Sequence, residues 1–530
     1  MTFSQSVART PDKPATIIGD TGEQITYREL DDASMRFAQV LRAAGLGAGD
    51  TVAVMMETDL RYHQVVWGVL RSGMYLVPIN KYSTYDELAY LLTDSGAQGL
   101  VVSSSIATTV GLAEAPPPLR LLLAAGAPME GTAGIDDFDA ALAAQPARPV
   151  SEDERMGDWM LYSSGTTGRP LGIRRPLPDA PFDSPLAVDA SAQAIYGLDR
   201  TSVFLTPAPL YHSAPLCYTS ATHSLGGTAV LMRKFDAERA LALVEQHAVT
   251  TGQWVPSMFV RMLKLPEEVR SRYDLSSQRT AVHGAGPVAT SVKRAMIDWW
   301  GPVLVEYYGG TEFTGLTCCT SEEWLAHPGT VGRSILGIPH ICDPADGREL
   351  SRGEAGLIYF ERDHMPFRYH NNPERTEATR HPAHPLWTQS GDIGYLDEDG
   401  YVYLLDRLSF TIISGGVNIY PQEIEDTFIR HPAVADVAVF GVPDDEMGER
   451  VQAVVQPAGE AGEADEAALA QELTRFARET LAAYKVPRTV DFMDQLPRQE
   501  TGKLYKRVLR DAYREPETLP SLGVRRPARP

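Results

Sequence analysis

Hydrophobic and polar positions follow two regimes along this chain. In the first half, short runs that are apolar almost throughout recur between longer stretches with apolar residues three and four apart. Thr51–Met56 (TVAVMM), Gly99–Ser103 (GLVVS), Thr228–Met232 (TAVLM), Arg279–His283 (RTAVH) and Pro302–Tyr307 (PVLVEY) read as buried strands. Ser34–Ala44 and Ala237–His247 carry the helical spacing. Strands apolar on both sides belong to sheets covered on both faces. Their alternation with helices predicts doubly wound parallel layers.

From Gly353 the pattern shortens. GLIYF and GYVYLLD, with a DEDG turn at Asp397–Gly400, predict a more antiparallel, barrel-like piece. Beyond Asp406–Arg407 the pattern restarts. Pro421 opens a helix that runs through Ile424 and Phe428 and stops at His431–Pro432. Strands at Asp436–Phe440 and Val451–Gln456 follow, then an acidic loop from Ala458 and a helix over Glu466–Leu481. This is a small α+β domain. The expected division is a large domain over 1–406, a hinge at 407–409 and a small domain over 410–530. The Pro- and Arg-rich tail after Pro516 is expected to be loose.

Bulk properties narrow the classes. A chain of 530 residues exceeds a single ordinary core. No apolar run reaches the roughly 18 residues of a membrane helix, and MTFSQSVARTPDKPA is unlike a signal peptide. Cys217, Cys318, Cys319 and Cys342 lack CxxC or zinc-ligand spacing and read as buried small residues in a cytoplasmic protein. A net charge of −21 argues against nucleic acid as partner. An anionic nucleotide would then need positive potential supplied locally, by backbone N–H groups, a few cations and a metal ion.

One stretch offers that. Leu161–Ile173, LYSSGTTGRPLGI, holds Gly165, Gly168 and Gly172 together with Ser163, Ser164, Thr166 and Thr167. Glycines allow close backbone approach, successive N–H groups cradle anions, and hydroxyls add donors. The loop lacks the Gly-Lys pair of a P-loop.

The loop resembles the signature of the adenylate-forming (AMP-binding) superfamily, which includes acyl-CoA synthetases, aryl-CoA ligases, peptide-synthetase adenylation domains and luciferases. From about Pro14 to Tyr513 other blocks follow in that family's order: ITYREL, PLYHSAP, EYYGGTE, SGDIGYLDEDG, DRLSFTIISGGVNIYPQEIE, FGVPDDEMGE and YKVPR…TGK. The resemblance implies an α/β fold. A large N-terminal domain of doubly wound sheets with a small β-barrel subdomain is followed by a small mobile α+β C-terminal domain. It implies two half-reactions. A carboxylate attacks the α-phosphate of ATP to give an acyl-adenylate and pyrophosphate, and a thiol, usually that of CoA, then displaces AMP.

The same resemblance implies roles for residues. Ser163, Ser164, Gly165, Thr166, Thr167 and Gly168 would cradle phosphate. Tyr308 would stack on adenine, Thr311 would contact phosphate, and Glu312 would hold Mg²⁺. Gly284, Ala285 and Gly286 would pack along adenine and the acyl pocket. Asp392 would take the ribose hydroxyls, with Arg407 as a second ribose or phosphate contact. His212 would gate the acid tunnel, and Lys503 would be the catalytic lysine of the small domain. Gly415 and Gly416 would line the pantetheine passage, with Ser409 as pivot. His283 reads as structural. A homodimer is the family habit.

The chain also departs from the pattern. Leu171 stands where most relatives carry a phosphate-binding lysine, a loss of about 1.5–3 kcal/mol if uncompensated. Arg174 and Arg175 are close enough in sequence to substitute. Ser409 and Phe410 stand where many relatives carry charged residues. The leading expectation is a CoA ligase for a medium, bulky or aromatic carboxylic acid. The alternatives are an ATP-dependent diazotase of natural-product biosynthesis, which activates nitrite and converts an aryl amine to a diazonium, another CoA-independent adenylating enzyme, and a non-catalytic nucleotide binder. Leu171 and the Gly309–Gly310 pair are compatible with the diazotase.

Overall fold

A computed structural model of the chain describes residues 1–112, 117–127, 129, 134–151, 154–163, 170–444, 446–459, 463–498 and 504–527. Two sheets make the large part. One has six parallel strands in the order Asp136–Asp137, Leu121–Ala125, Ala97–Ser103, Thr51–Met55, Tyr75–Pro78, Asp158–Trp159. The other contains a parallel run in the order Pro14–Ile18, Thr228–Leu231, Val203–Thr206, Thr251–Trp254, Thr280–His283, Leu304–Gly309. Helices lie between them, and one apolar core takes Val52, Val54 and Leu76 from the first sheet and Phe204, Ala229 and Val282 from the second.

The helix spacing read at Ser34–Ala44 belongs to a longer helix, Tyr27–Ala43. Its start is set by Thr26, whose side chain caps the Glu29 N–H while Glu29 reaches back, a capping box within ITYREL. It packs on the helix Leu60–Arg71 at Gly68. A Cβ there would stand 2.6 Å from Phe37 Cδ1, so only glycine allows this approach.

The antiparallel piece expected after Gly353 begins earlier, at Leu316–Thr320, and is hydrogen-bonded directly onto Leu304–Gly309. It continues through Thr330–Leu336, Val402–Arg407, Trp387–Leu396, Gly356–Glu361 and Ile338–Cys342. Register shifts in four of these pairings mark the bulges at which the strands bend.

The small domain is a sheet of Val417–Ile419, Ile412–Ser414, Gly448–Pro457 and Val434–Asp444, with Thr489–Phe492 added in parallel. Helices Pro421–Phe428, Glu463–Arg478 and Lys506–Arg514 complete it. The helix expected over Glu466–Leu481 thus starts and stops three residues earlier. The loose tail expected after Pro516 is overturned. Leu519 and Val524 are buried beside Leu509 and Tyr513, and Arg525 exchanges backbone hydrogen bonds with Phe492. The Arg525 guanidinium also bridges Glu466 and Asp494. Two apolar anchors and one ion-paired arginine outweigh the loop-like composition.

Among the described residues no helix is long and apolar enough to cross a membrane. All four cysteines are free; Cys217, Cys319 and Cys342 are buried and Cys318 is partly buried.

Candidate active site

The parallel strands Thr280–His283 and Leu304–Gly309 are neighbours, so their carboxyl ends open at one edge of the sheet, where ligands bind in α/β folds. The first runs into Gly284, Ala285 and Gly286. A Cβ on Gly284 would lie 2.8 Å from Tyr307 Cε1, and Ala285 holds a left-handed φ of 67°. The second runs into Gly310, Thr311 and Glu312, a turn closed by the Phe313 N–H donating to the Gly310 carbonyl at 3.0 Å.

A buried ion pair ties the second strand to the helix Thr290–Trp300. Lys293 Nζ lies 2.5 Å from Glu306 Oε2, and His283 Nε2 is 3.8 Å from the same oxygen. Burial, then the Lys293 charge, pushes the His283 pKa well below its usual value, so the imidazole is neutral and structural.

Strand Trp387–Leu396 pairs with Val402–Arg407 so that Asp392 faces Arg407. The Tyr308 hydroxyl donates to Asp392 Oδ2 at 2.7 Å, Ser390 Oγ donates to the same oxygen at 2.8 Å, and Arg407 Nε lies 3.3 Å from Oδ1. Burial and the Asp392 charge raise the Tyr308 pKa well above its usual value, which keeps it a donor. Burial opposes the Arg407 charge, but Asp392 and Glu312 outweigh it and raise the pKa. Tyr308, Glu312, Asp392 and Arg407 therefore form one electrostatic group.

Glu312 has a further partner. The Tyr369 hydroxyl donates to its Oε1 at 3.0 Å. Tyr369 belongs to Arg368–Tyr369, the third strand of a small sheet whose other two flank the signature loop. Leu161–Ser163 and Leu171–Arg174 pair antiparallel, with Ser163 opposite Leu171, and Tyr369 is opposite Ile173. Leu171 packs against Ile173, Phe367 and Tyr369. Ser164, Gly165, Thr166, Thr167 and Gly168 lie outside the described residues, as does Lys503.

The arginines expected to compensate for Leu171 are engaged elsewhere. Arg175 is 2.6 Å from the buried Asp158 carboxylate and 5.2 Å from the Phe313 ring centroid. Arg174 stands 4.1 Å over the Tyr75 ring. Arg175 is held by a carboxylate that burial makes dependent on it.

His212 caps the helix Ser213–Ser224, its carbonyl accepting from the Leu216 N–H at 3.1 Å and its ring centroid 4.5 Å from that of Tyr211. Behind this helix runs a buried network that sequence reading missed. Trp67 Nε1 donates to His223 Nδ1 at 3.1 Å, so the His223 proton sits on Nε2, which faces the Ala15 carbonyl at 3.1 Å and Thr16 Oγ1 at 3.0 Å. Thr16 Oγ1 lies 3.2 Å from His63 Nδ1, and His63 Nε2 lies 3.0 Å from Thr219 Oγ1. Burial holds the His223 pKa down at about 3.

Gly415 and Gly416 form the turn between Ile412–Ser414 and Val417–Ile419, at φ 57° and 79°. Two positive φ values in a two-residue hairpin turn account for the glycines on backbone grounds alone. At the domain junction Lys506 Nζ is 2.9 Å from Glu425 Oε1 and 3.9 Å from Asp406 Oδ2. Arg510 donates to the Ser409 carbonyl at 2.9 Å, and its guanidinium stands 5.8 Å from the Phe410 ring centroid. Phe410 thus takes cationic neighbours without a charge of its own. Lys506 gave no signal beyond its place three residues after Lys503.

Among the described residues no group of three or more His, Cys, Asp or Glu side chains gathers to hold a metal. Glu312 offers a single carboxylate, with Oε1 engaged by Tyr369. That suits Mg²⁺ shared with phosphate oxygens rather than an all-protein cage.

Comparison with known proteins identifies the family. The AMP-binding enzyme family model matches residues 3–370, and the AMP-binding enzyme C-terminal domain matches residues 423–503. The chain is 31% identical over 515 residues to the long-chain-fatty-acid–CoA ligase FadD13 of Mycobacterium tuberculosis, covering 96% of this chain and 97% of that one. It is 34% identical over 503 residues to a feruloyl-CoA synthase of Amycolatopsis, covering 94% and 96%. ATP-bound MatB of Rhodopseudomonas palustris superposes with a TM-score of 0.77 at 28% identity, over 97% of this chain and 99% of that one. With both family models matched and likeness along almost its whole length, the chain belongs to the AMP-binding enzyme family, among the adenylate-forming acyl- and aryl-CoA ligases.

Proposed function

We propose that this protein activates a carboxylic acid with ATP as an acyl-adenylate and passes the acyl group to CoA. The observation that carries the reading is the group formed by Tyr308, Asp392, Arg407 and Glu312 at the strand ends. Asp392 Oδ2 already accepts two hydroxyl protons, so Oδ1, beside Arg407, is the oxygen left to take the ribose hydroxyls. Arg407 keeps its charge there and offsets the α-phosphate. Gly284 lets its loop lie flat on Tyr307, next to the Tyr308 ring proposed to stack on adenine.

Thr311 and the loop Ser163–Gly168 are proposed to hold phosphate oxygens, with Lys503 bridging carboxylate and phosphate. Glu312 is proposed to hold Mg²⁺ through Oε2, while Tyr369 orients the carboxylate from Oε1. When bound, Mg²⁺ would neutralise charge on the phosphates. With Leu171 apolar and Arg175 engaged, phosphate binding leans on backbone N–H groups and the metal. His212 is proposed to gate the acid, Gly415 and Gly416 to line the thiol passage, and the small domain to pivot at Ser409.

The test is AMP and pyrophosphate release with MgATP across aliphatic and aromatic acids, with and without CoA. A thioester formed only with acid and CoA supports the reading. AMP release that ignores CoA sinks the acceptor assignment. The two relatives named above at 31% and 34% identity are a CoA ligase and a CoA synthase, and nitrite activation finds no support in them.

A further inference from the structure

The helix Tyr85–Ser95 packs on the first sheet, where Leu88, Leu91 and Leu92 share a core with Ala53, Val77 and Met160. Tyr90 and Asp94 are four residues apart and so share one face of it. Asp94 Oδ2 accepts from the Tyr162 hydroxyl at 2.7 Å, and the Tyr90 hydroxyl donates to the Pro170 carbonyl at 2.9 Å. Tyr162 and Pro170 stand on either side of the signature loop, so a single helix face holds both of its stems. The Asp94 carbonyl accepts from Asn371 Nδ2 at 3.1 Å. Asn371 lies two residues beyond Tyr369, the donor to Glu312. Every strand of the small sheet, or the residue beside it, is thereby tied to the last turns of one helix.

The neighbouring residues make room for these contacts. Tyr162 is in register with Gly172, where a Cβ would stand 2.6 Å from Met160 Cε and 3.0 Å from Tyr162 Cζ, so glycine lets the ring cross the partner strand. Burial, then Asp94, raises the Tyr162 pKa well above its usual value, which keeps the hydroxyl a donor. Asn371 holds a left-handed φ of 53°, and the His370 N–H donates to the Gly172 carbonyl at 2.7 Å. Such a backbone persists only where the surrounding contacts over-determine it. Apolar packing alone is non-directional and would let the small sheet slide on the helix. Hydrogen bonds to all three strands fix where it stands.

We propose that Asp94 and Tyr90 are positioning residues for the outer phosphates of ATP: they set both stems of the signature loop against the first sheet, and the same small sheet delivers Tyr369 to Glu312. This rests on the ligase reading above and deepens it with residues that act through Tyr162 and Pro170 rather than on the substrate. The demand on them is raised by Leu171. A lysine there would reach a phosphate on a flexible stem and tolerate a loop set slightly wrong. Backbone N–H groups have no such reach, and an anion cradle holds only as well as its donors are aimed.

The experiment measures calorimetric binding of MgATP, and of AMP, which lacks the outer phosphates, to the wild-type chain and to Tyr162→Phe, Tyr90→Phe, Asp94→Leu and Asp94→Asn. Tyr162→Phe, Tyr90→Phe and Asp94→Leu are each expected to raise the Kd for MgATP about tenfold and that for AMP less than about twofold. Asp94→Asn keeps an oxygen that accepts from Tyr162 and is expected to stay within about threefold of wild type for MgATP. Tyr162→Phe combined with Asp94→Leu is expected to weaken MgATP no more than either alone, since both remove one bond. Tyr162→Phe deletes a single oxygen and reads the contact even if Asp94→Leu folds poorly. MgATP binding unchanged in the tyrosine variants, or weakened equally with AMP, overturns the inference and leaves the ligase reading intact. Selective loss of MgATP in a chain that releases no AMP with any acid overturns the ligase reading and supports the positioning. A wild-type chain that binds no MgATP overturns both.

Discussion

The hydroxyl of Tyr369 donates to Glu312 at 3.0 Å while its ring packs against Leu171, so one side chain joins the proposed metal ligand to the hairpin that carries the signature loop. Tyr369→Phe keeps the ring and removes the donor. A charge-assisted hydrogen bond of this kind is worth about 1.5–3 kcal/mol. The expected outcome is a rise of about tenfold in the Mg²⁺ concentration for half-maximal AMP release, with the melting temperature little changed. An unchanged Mg²⁺ dependence would show that Glu312 needs no help from Tyr369.

Leu171 sits at the end of the loop, and Arg174 and Arg175 are engaged elsewhere. Leu171→Lys places an ammonium there on a stem that can lie over Phe367 and Tyr369. The expected outcome is a KM for ATP lowered by about tenfold, with little change in KM for the acid. Substituting Arg175 instead is expected to harm folding, because it strips the buried Asp158 of its partner. Thermal melts of Arg175→Leu check this.

The buried histidines set a pH window. Burial lowers the His223 pKa from 6.5 to about 3 in the folded state, so the unfolded chain binds the extra proton between those values. Stability from this group is therefore present above about pH 6.5 and is lost as pH falls toward 3. The large domain is expected to melt at progressively lower temperature from pH 7 to pH 4. His223→Gln is expected to flatten that slope while lowering the melting temperature at pH 7. A slope that the substitution leaves unchanged would place the acid sensitivity elsewhere.

Glu425 works in the opposite direction. Burial, opposed by Lys506, pushes its carboxyl up to about 7, so the folded state holds the proton above the ordinary value of 4.5. Its contribution to stability is lost as pH rises through that interval. Lys506→Met removes the cation paired with Glu425 and facing Asp406 and is expected to destabilise the small domain by about 3–5 kcal/mol. Glu425→Gln combined with Lys506→Met is expected to recover part of it. Urea unfolding of the two variants at pH 7.5 measures the difference.

The sheet layers were legible because strands covered on both faces leave apolar runs such as TVAVMM, and the glycine-rich loops were legible because few side chains tolerate that backbone. Tyr369 was not. It reaches Glu312 from a strand placed by its register with Ile173, and registers between distant segments leave no local trace. The His63–His223 network is hidden for the same reason, since its members come from three separate segments. The tail was misread because Pro and Arg dominate its composition while Leu519 and Val524 do the packing.

Asp406 and Arg407 are consecutive, and their side chains serve opposite neighbours. Arg407 reaches Asp392, while Asp406 accepts from the Gln422 N–H at 3.2 Å and faces Lys506 in the small domain. The residue that faces Asp392 at the strand ends and the residue that faces the small domain are thus one peptide unit apart in the chain.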